Sequence, residues 1–261
     1  MVRISIAITA VPERKDMVYS LIKKLGRPVP VAWDNDHVGL WWNIQRAWKM
    51  VKGGATHHLI LPDDALVCDD FIASAERAIS YRPEDYVGFF ANHKVCERAV
   101  ESGHSWVNIN GGVWGACQML PVHEIPQFLG WCRNHVFEEY KHDDRRLMAY
   151  LSSRGIKQFQ TIPSLVEHGQ PYNSFLNPSA TKLPVSRVAR VYTGESALEV
   201  DWTKGFDNPH YYGYPNNGNL IEEKWLLEGR WQLKEKAQLR KRTKRLRGSI
   251  GAPRIVGWSV R

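Results

Sequence analysis

From Val2 to Leu61 the chain alternates short apolar runs with amphipathic helical stretches, and this alternation narrows the fold to an α/β architecture. Residues 2–10 read as a strand. Val18, Leu21, Ile22 and Leu25 then fall at helical spacing before Gly26 and Pro28 stop the helix. Residues 29–33 predict a second strand ending at Asp34-Asn35, and Leu40, Ile44, Ala47, Trp48 and Val51 outline a second helix ending at Gly53-Gly54. The third strand is residues 56–61. Strands joined by helices run parallel, and open sheets of this kind bind ligands beyond the carboxyl ends of their strands. Arg14, Asp34, Asn35, Asp63 and Asp64 all stand at such ends.

Further along, the pattern predicts a helix over 71–79, strands over 86–90 and 111–120, and helices over 122–133 and 143–154. A strand over 157–162 precedes an irregular segment that carries Glu167, His168 and Gly169. Residues 171–215 are rich in Pro, Gly and Asn, so they are expected to wrap the body and not to build a second core. A basic helix over about 220–247 closes the sequence. The expected division is a catalytic unit over 1–175, a loop-rich wrap over 176–218, and a basic helix and tail over 219–261.

The net charge of +8 is concentrated in that last segment. Residues 219–261 hold twelve Lys/Arg against four Glu, whereas the first 218 residues hold 23 of each sign. Cys68, Cys96, Cys117 and Cys132 are widely spaced with no Cys-x-x-Cys pair, which excludes a zinc-ribbon pattern and a disulfide framework and points to reduced thiols in the cytoplasm. The apolar run at 4–11 is short and bounded by Arg3 and Arg14, so it reads as a core strand and not as a signal segment; no later run is long enough to span a bilayer.

The third strand runs directly into two adjacent acids, in Thr56-His-His-Leu-Ile-Leu-Pro-Asp-Asp-Ala65. Paired carboxylates at a strand end are hard oxygen ligands suited to Mg²⁺ or Mn²⁺, which keep positions for water and substrate phosphates. The alternative is that Asp63 and Asp64 form a turn and help cap a helix starting near Asp69. Asp143 and Asp144 open a helix, where they serve either as a general base or as caps favoured by the helix dipole. His168 follows a strand, where an imidazole ligand would suit Mn²⁺ better than Mg²⁺. Gly111-Gly112-Val113-Trp114 lets backbone approach a sugar or acceptor while Trp114 stacks on a ring, or else makes a tight bend. His57 and His58 lie inside a strand without metal-ligand spacing and are assigned to packing or to the surface.

The order of these features resembles the GT-A superfamily of nucleotide-sugar glycosyltransferases over roughly residues 4–174. The resemblance implies a Rossmann-type mixed sheet flanked by helices and an activity moving a hexose or pentose from a UDP- or GDP-sugar to a hydroxyl, with inversion or retention, an Asp at the helix start favouring inversion. It implies that Asp64 ligates the divalent cation, with Asp63 on the ribose or a metal-bound water; Pro62 stands where the family often has a third acid. Thr9 to Arg14 would form the nucleotide loop, Arg14 facing the base or diphosphate. Asp34 and Asn35 would contact the base, Asn43 the nucleotide, and Gly112 and Trp114 the sugar or acceptor. Asp144, ahead of Asp143, would deprotonate the acceptor, and His168 would complete the metal site or touch the diphosphate.

The basic tail suggests the acceptor. Arg240, Lys241, Arg242, Lys244, Arg245 and Arg247, with Trp225 and Trp231 interleaved, suit a polyanion. The expected partner is DNA bearing hydroxymethylated pyrimidines, as for viral (phage) members of the superfamily acting in the host cytoplasm; a target base would be extruded, with Trp106, Trp114, Tyr211 and Tyr212 as stacking surfaces. An anionic membrane surface presenting an envelope or lipid-linked glycan is the second acceptor class. A non-catalytic nucleic-acid-binding protein on a degenerate enzyme fold is the third reading.

Overall fold

The computed structural model describes residues 1–136, 142–169 and 188–211. Apolar side chains alternate between two faces of a central sheet, and that alternation sets its layers. β1 (Ile4–Ala10) lies between β2 (Val31–Trp33) and β3 (His57–Pro62), parallel to both. Two crossover helices make this possible: α1 (Lys15–Leu25) joins β1 to β2, and α2 (Leu40–Trp48) joins β2 to β3. Gly26 ends α1 in the left-handed conformation, φ +67°, with its N–H donated to the Lys23 carbonyl.

The third strand is followed by β4 (Ala65–Val67), α3 (Phe71–Ser80), β5 (Tyr86–Gly88), α4 (Val95–Glu101), β6 (Trp106–Asn110) and β7 (Gln118–Pro121). Then come α5 (Ile125–His135), α6 (Asp143–Arg154), β8 (Gln158–Thr161), β9 (Val166–His168) and β10 (Phe206–Tyr211). The first sheet has the order β2-β1-β3-β7, with β7 antiparallel to β3. A second sheet, β10-β6-β8-β5, mixes parallel and antiparallel pairs, and β4 and β9 form a separate antiparallel ribbon. The chain is therefore a mixed α/β fold.

Ile4, Ile6, Ile8, Leu59 and Leu61 point to the side covered by α1 and α3, where Val18, Leu21, Phe71 and Ile79 meet them. Ala7 and Ile60 point to the opposite side, against Trp48 of α2, Phe128 of α5 and Leu147 of α6. Each Leu or Ile fully removed from water here stabilises the fold by about 1.5–3 kcal/mol. His57 and His58 belong to this packing, as expected. His58 joins the layers: Ser5 Oγ lies 2.6 Å from Nδ1, and Nε2 lies 2.9 Å from the Ala47 carbonyl. Desolvation lowers its pKa below the ordinary histidine value.

Three expectations need correction. The strand expected over 111–120 is interrupted, because Gly111 takes φ +82° and the Gly112 N–H donates to the Ile109 carbonyl, turning the chain between β6 and β7. His168 sits in a regular strand, β9, and not in an irregular segment; a three-residue strand is too short to show alternation. Trp106 offers no stacking surface for a base. It is buried against Trp202 at 5.1 Å and donates its indole N–H to the Trp202 carbonyl at 2.7 Å. Ala189, Ala197 and Trp202 thus tie this segment to the core, and its end supplies a sheet strand. The basic helix, its Arg240 to Arg247 cluster, Tyr212 and the Tyr211 ring lie outside the described residues. No helix among the described residues is long and apolar enough to cross a membrane.

Candidate active site

Asp63 and Asp64 occupy the two-residue turn between β3 and β4, so the turn reading holds, and their side chains also define the site. Parallel pairing places Thr9 opposite Pro62, which brings the end of β1 beside the acids. There a short 3₁₀ turn, Pro12–Arg14, follows the strand and carries Arg14 to them. Arg14 Nη1 lies 2.7 Å from Asp63 Oδ1 and 3.3 Å from Asp64 Oδ2. Asp63 Oδ2 accepts the Val11 N–H at 3.2 Å.

β9 brings the fourth group. Its pairing with β4 sets His168 opposite Ala65, and the Gly169 N–H donates to the Asp64 carbonyl. A Cβ at Gly169 would lie 3.0 Å from that carbonyl oxygen, so the close approach favours glycine. His168 Nδ1 stands 3.8 Å from Asp64 Oδ1 and is buried without a hydrogen-bond partner. Phe90 backs the imidazole at 5.3 Å, and Trp114 packs on Phe90 at 6.1 Å. Trp114 is thereby drawn into the neighbourhood of His168.

The two carboxylates differ in electrostatics. Burial pushes the Asp63 carboxyl up, with Arg14 opposing. Burial opposes ionisation of Asp64 too, but His168 and Arg14 outweigh it and hold that carboxyl below its ordinary value. An ionised carboxylate and an imidazole nitrogen 3.8 Å apart, too far for a hydrogen bond, are donors that would suit a divalent cation between them. Among the described residues no group of three His, Cys, Asp or Glu side chains forms a complete protein cage. Asp64 and His168 would supply two ligands to such an ion, and water and substrate would fill its other positions, as is usual for Mg²⁺-type sites.

Asp34 has a different part. Its carboxylate accepts the N–H groups of Val38 at 2.8 Å and Gly39 at 2.9 Å, closing the loop before α2, while Asn35 is exposed. Asn43 lies beneath, donating to the carbonyls of Ala32 at 2.7 Å and Ala10 at 3.4 Å, so it ties the ends of β1 and β2 together. Its buried Oδ1 has no partner. Gly112 has a packing reason: a Cβ there would meet the Ile109 carbonyl oxygen at 2.7 Å.

The acidic helix start reaches the same end of the sheet through Gln118, a residue the sequence did not single out. Gln118 stands opposite Ile60 on β3 and donates its amide to Asp143 Oδ2. Asp143 is buried, whereas Asp144 is half-buried and accepts the Arg145 N–H at 2.7 Å. Burial, then the charge of Asp144, pushes the Asp143 carboxyl up to about 7. A carboxyl raised in the folded state contributes stability while protonated and loses it as pH rises through that value. Asp143→Asn, a mimic of the neutral acid, should therefore melt above wild type, with a gap that widens from pH 5 to pH 8 by on the order of 5 °C. Thermal scans at the two pH values measure it; a constant gap would mean that Asp143 does not titrate in this range.

No protein-family model and no curated protein matches the chain.

Proposed function

We propose that the chain is a metal-dependent glycosyltransferase of GT-A type that moves a sugar from a nucleotide-sugar to a hydroxyl acceptor. The observation that carries this reading is the convergence of Asp63, Asp64, Arg14 and His168 at the carboxyl ends of two parallel strands, with the unpartnered His168 Nδ1 facing Asp64. Asp64 and His168 would hold the cation, which when bound neutralises the diphosphate leaving group. Arg14 adds a guanidinium suited to phosphate oxygens. Asp144, the more exposed of its pair, would receive the acceptor proton, while Gln118 holds the neighbouring Asp143. Phe90 backs the His168 imidazole, and Trp114 packs on Phe90.

The acceptor we favour is a hydroxymethylated pyrimidine in DNA, supported by the concentration of the net positive charge in residues 219–261. The test incubates the protein with Mn²⁺, a panel of UDP- and GDP-sugars, and either hydroxymethylcytosine or hydroxymethyluracil DNA or a lipid-linked glycan, and weighs the acceptor by mass spectrometry. Added hexose or pentose mass on DNA is the expected result. Transfer to the glycan alone would overturn the DNA acceptor. Absence of sugar-nucleotide binding, with DNA binding retained, would leave the non-catalytic nucleic-acid-binding reading.

A further inference from the structure

Asp63 and Asp64 are adjacent, yet their oxygens face different partners. Both oxygens of Asp63 are engaged by the loop after β1: Oδ1 takes Arg14 Nη1 at 2.7 Å and Oδ2 takes the Val11 N–H at 3.2 Å. Asp64 is held more loosely, with Oδ2 at 3.3 Å from Arg14 and Oδ1 at 3.8 Å from His168. A cation bound to Asp63 would compete with a short, charge-assisted hydrogen bond. One bound between Asp64 and His168 displaces at most the longer contact and satisfies a nitrogen that is otherwise unpartnered. The Arg14 side chain retains 13% exposure, so it is anchored by the acids and still reachable from solvent.

We infer that Asp63 is a positioning residue that aims Arg14 at the donor diphosphate, while the cation is held by Asp64 and His168 without it. This rests on the transfer reading above and divides the acidic pair into two separate charge devices. A diphosphate carries more negative charge than one divalent cation offsets, and Arg14 supplies a second, permanent positive charge whose planar fork matches phosphate oxygens. Without Asp63 the guanidinium loses its anchor. Without Arg14, Asp63 has nothing to orient.

Two binding measurements on the full chain separate the devices: inorganic pyrophosphate by calorimetry in EDTA, and Mn²⁺ by electron paramagnetic resonance without nucleotide. Arg14→Gln and Asp63→Asn should each weaken pyrophosphate about tenfold or more, and the double variant should be no weaker than Arg14→Gln alone. Both should bind Mn²⁺ as wild type does. Asp64→Asn should show the reverse, losing Mn²⁺ and keeping pyrophosphate. Because Arg14→Gln strips two buried carboxylates of their counter-ion, Arg14→Lys is the second variant: it keeps the charge, folds, and loses the fork's share of pyrophosphate affinity. Asp63→Asn losing Mn²⁺ as fully as Asp64→Asn would overturn the inference, as would pyrophosphate affinity unchanged in both Arg14 variants. A wild-type chain that takes up no Mn²⁺ overturns the metal half-site itself, a separate failure.

Discussion

Asp64→Asn is expected to lower Mn²⁺ affinity by about 100-fold or more and to take sugar transfer down with it. Loss of supporting residues around a metal costs 10–100-fold, so loss of a ligand should reach at least the upper end. The expectation follows from geometry: the Asp64 carboxylate, 3.8 Å from the buried and unpartnered Nδ1 of His168, is the one positioned to share an ion with an imidazole. Folding should survive the change. Asn keeps the shape, leaves the Gly169 bond to the main-chain carbonyl intact, and removes one of two neighbouring buried negative charges. Spin resonance of free against bound Mn²⁺ and a transfer assay on the same preparation report the two effects. A variant that binds Mn²⁺ as tightly as wild type would end the assignment of Asp64 as ligand.

Asp144→Asn should reduce transfer by roughly 10²–10⁴-fold while leaving Mn²⁺ and sugar-nucleotide binding intact, the signature of a lost general base. Half-buried Asp144 would meet the acceptor hydroxyl, and buried Asp143, held by Gln118, would tune it. When Asp143 ionises, its negative charge makes the neighbouring carboxylate a better proton acceptor. The wild-type rate should therefore rise as pH passes through about 7, and Asp143→Asn should lose that inflection. A pH–rate profile of both proteins reads this directly. Equal loss of donor binding and transfer in Asp144→Asn would reassign the residue to substrate binding.

The first half of the fold was legible because its elements are long and periodic. Val18, Leu21 and Leu25 bury one face of α1, and Ile4, Ile6 and Ile8 alternate with Ala7 across β1, as their spacing predicts. β4 and β9 have three residues each and show no alternation of their own, β10 lies in the stretch rich in Pro, Gly and Asn, and α4 and β6 gave no separate signal. The position of Asp63 and Asp64 beyond a strand end was equally legible. Their partners were not. Arg14 lies 49 residues from Asp63, and Gln118 lies 25 from Asp143; only strand register and helix packing bring them together. Gln118 resembled any polar strand residue, and Phe90 any core aromatic. Asp34 was located correctly at the end of β2, but that both its oxygens close a loop depends on backbone N–H directions no sequence displays.

The β4–β9 ribbon has a parity. His168 faces Asp64's neighbour because Ala65 pairs with His168, Leu66 with Glu167 and Val67 with Val166. Side chains on a strand alternate sides, so a slip of one position would turn the imidazole away and offer the carboxylate of Glu167 in its place. That carboxylate is tethered, accepting the N–H groups of His168 and of Ala189 on the returning segment. The tether acts as an index pin. A segment more than twenty residues downstream would thus set which donor, nitrogen or oxygen, stands beside Asp64, and a nitrogen there would suit Mn²⁺ better than Mg²⁺.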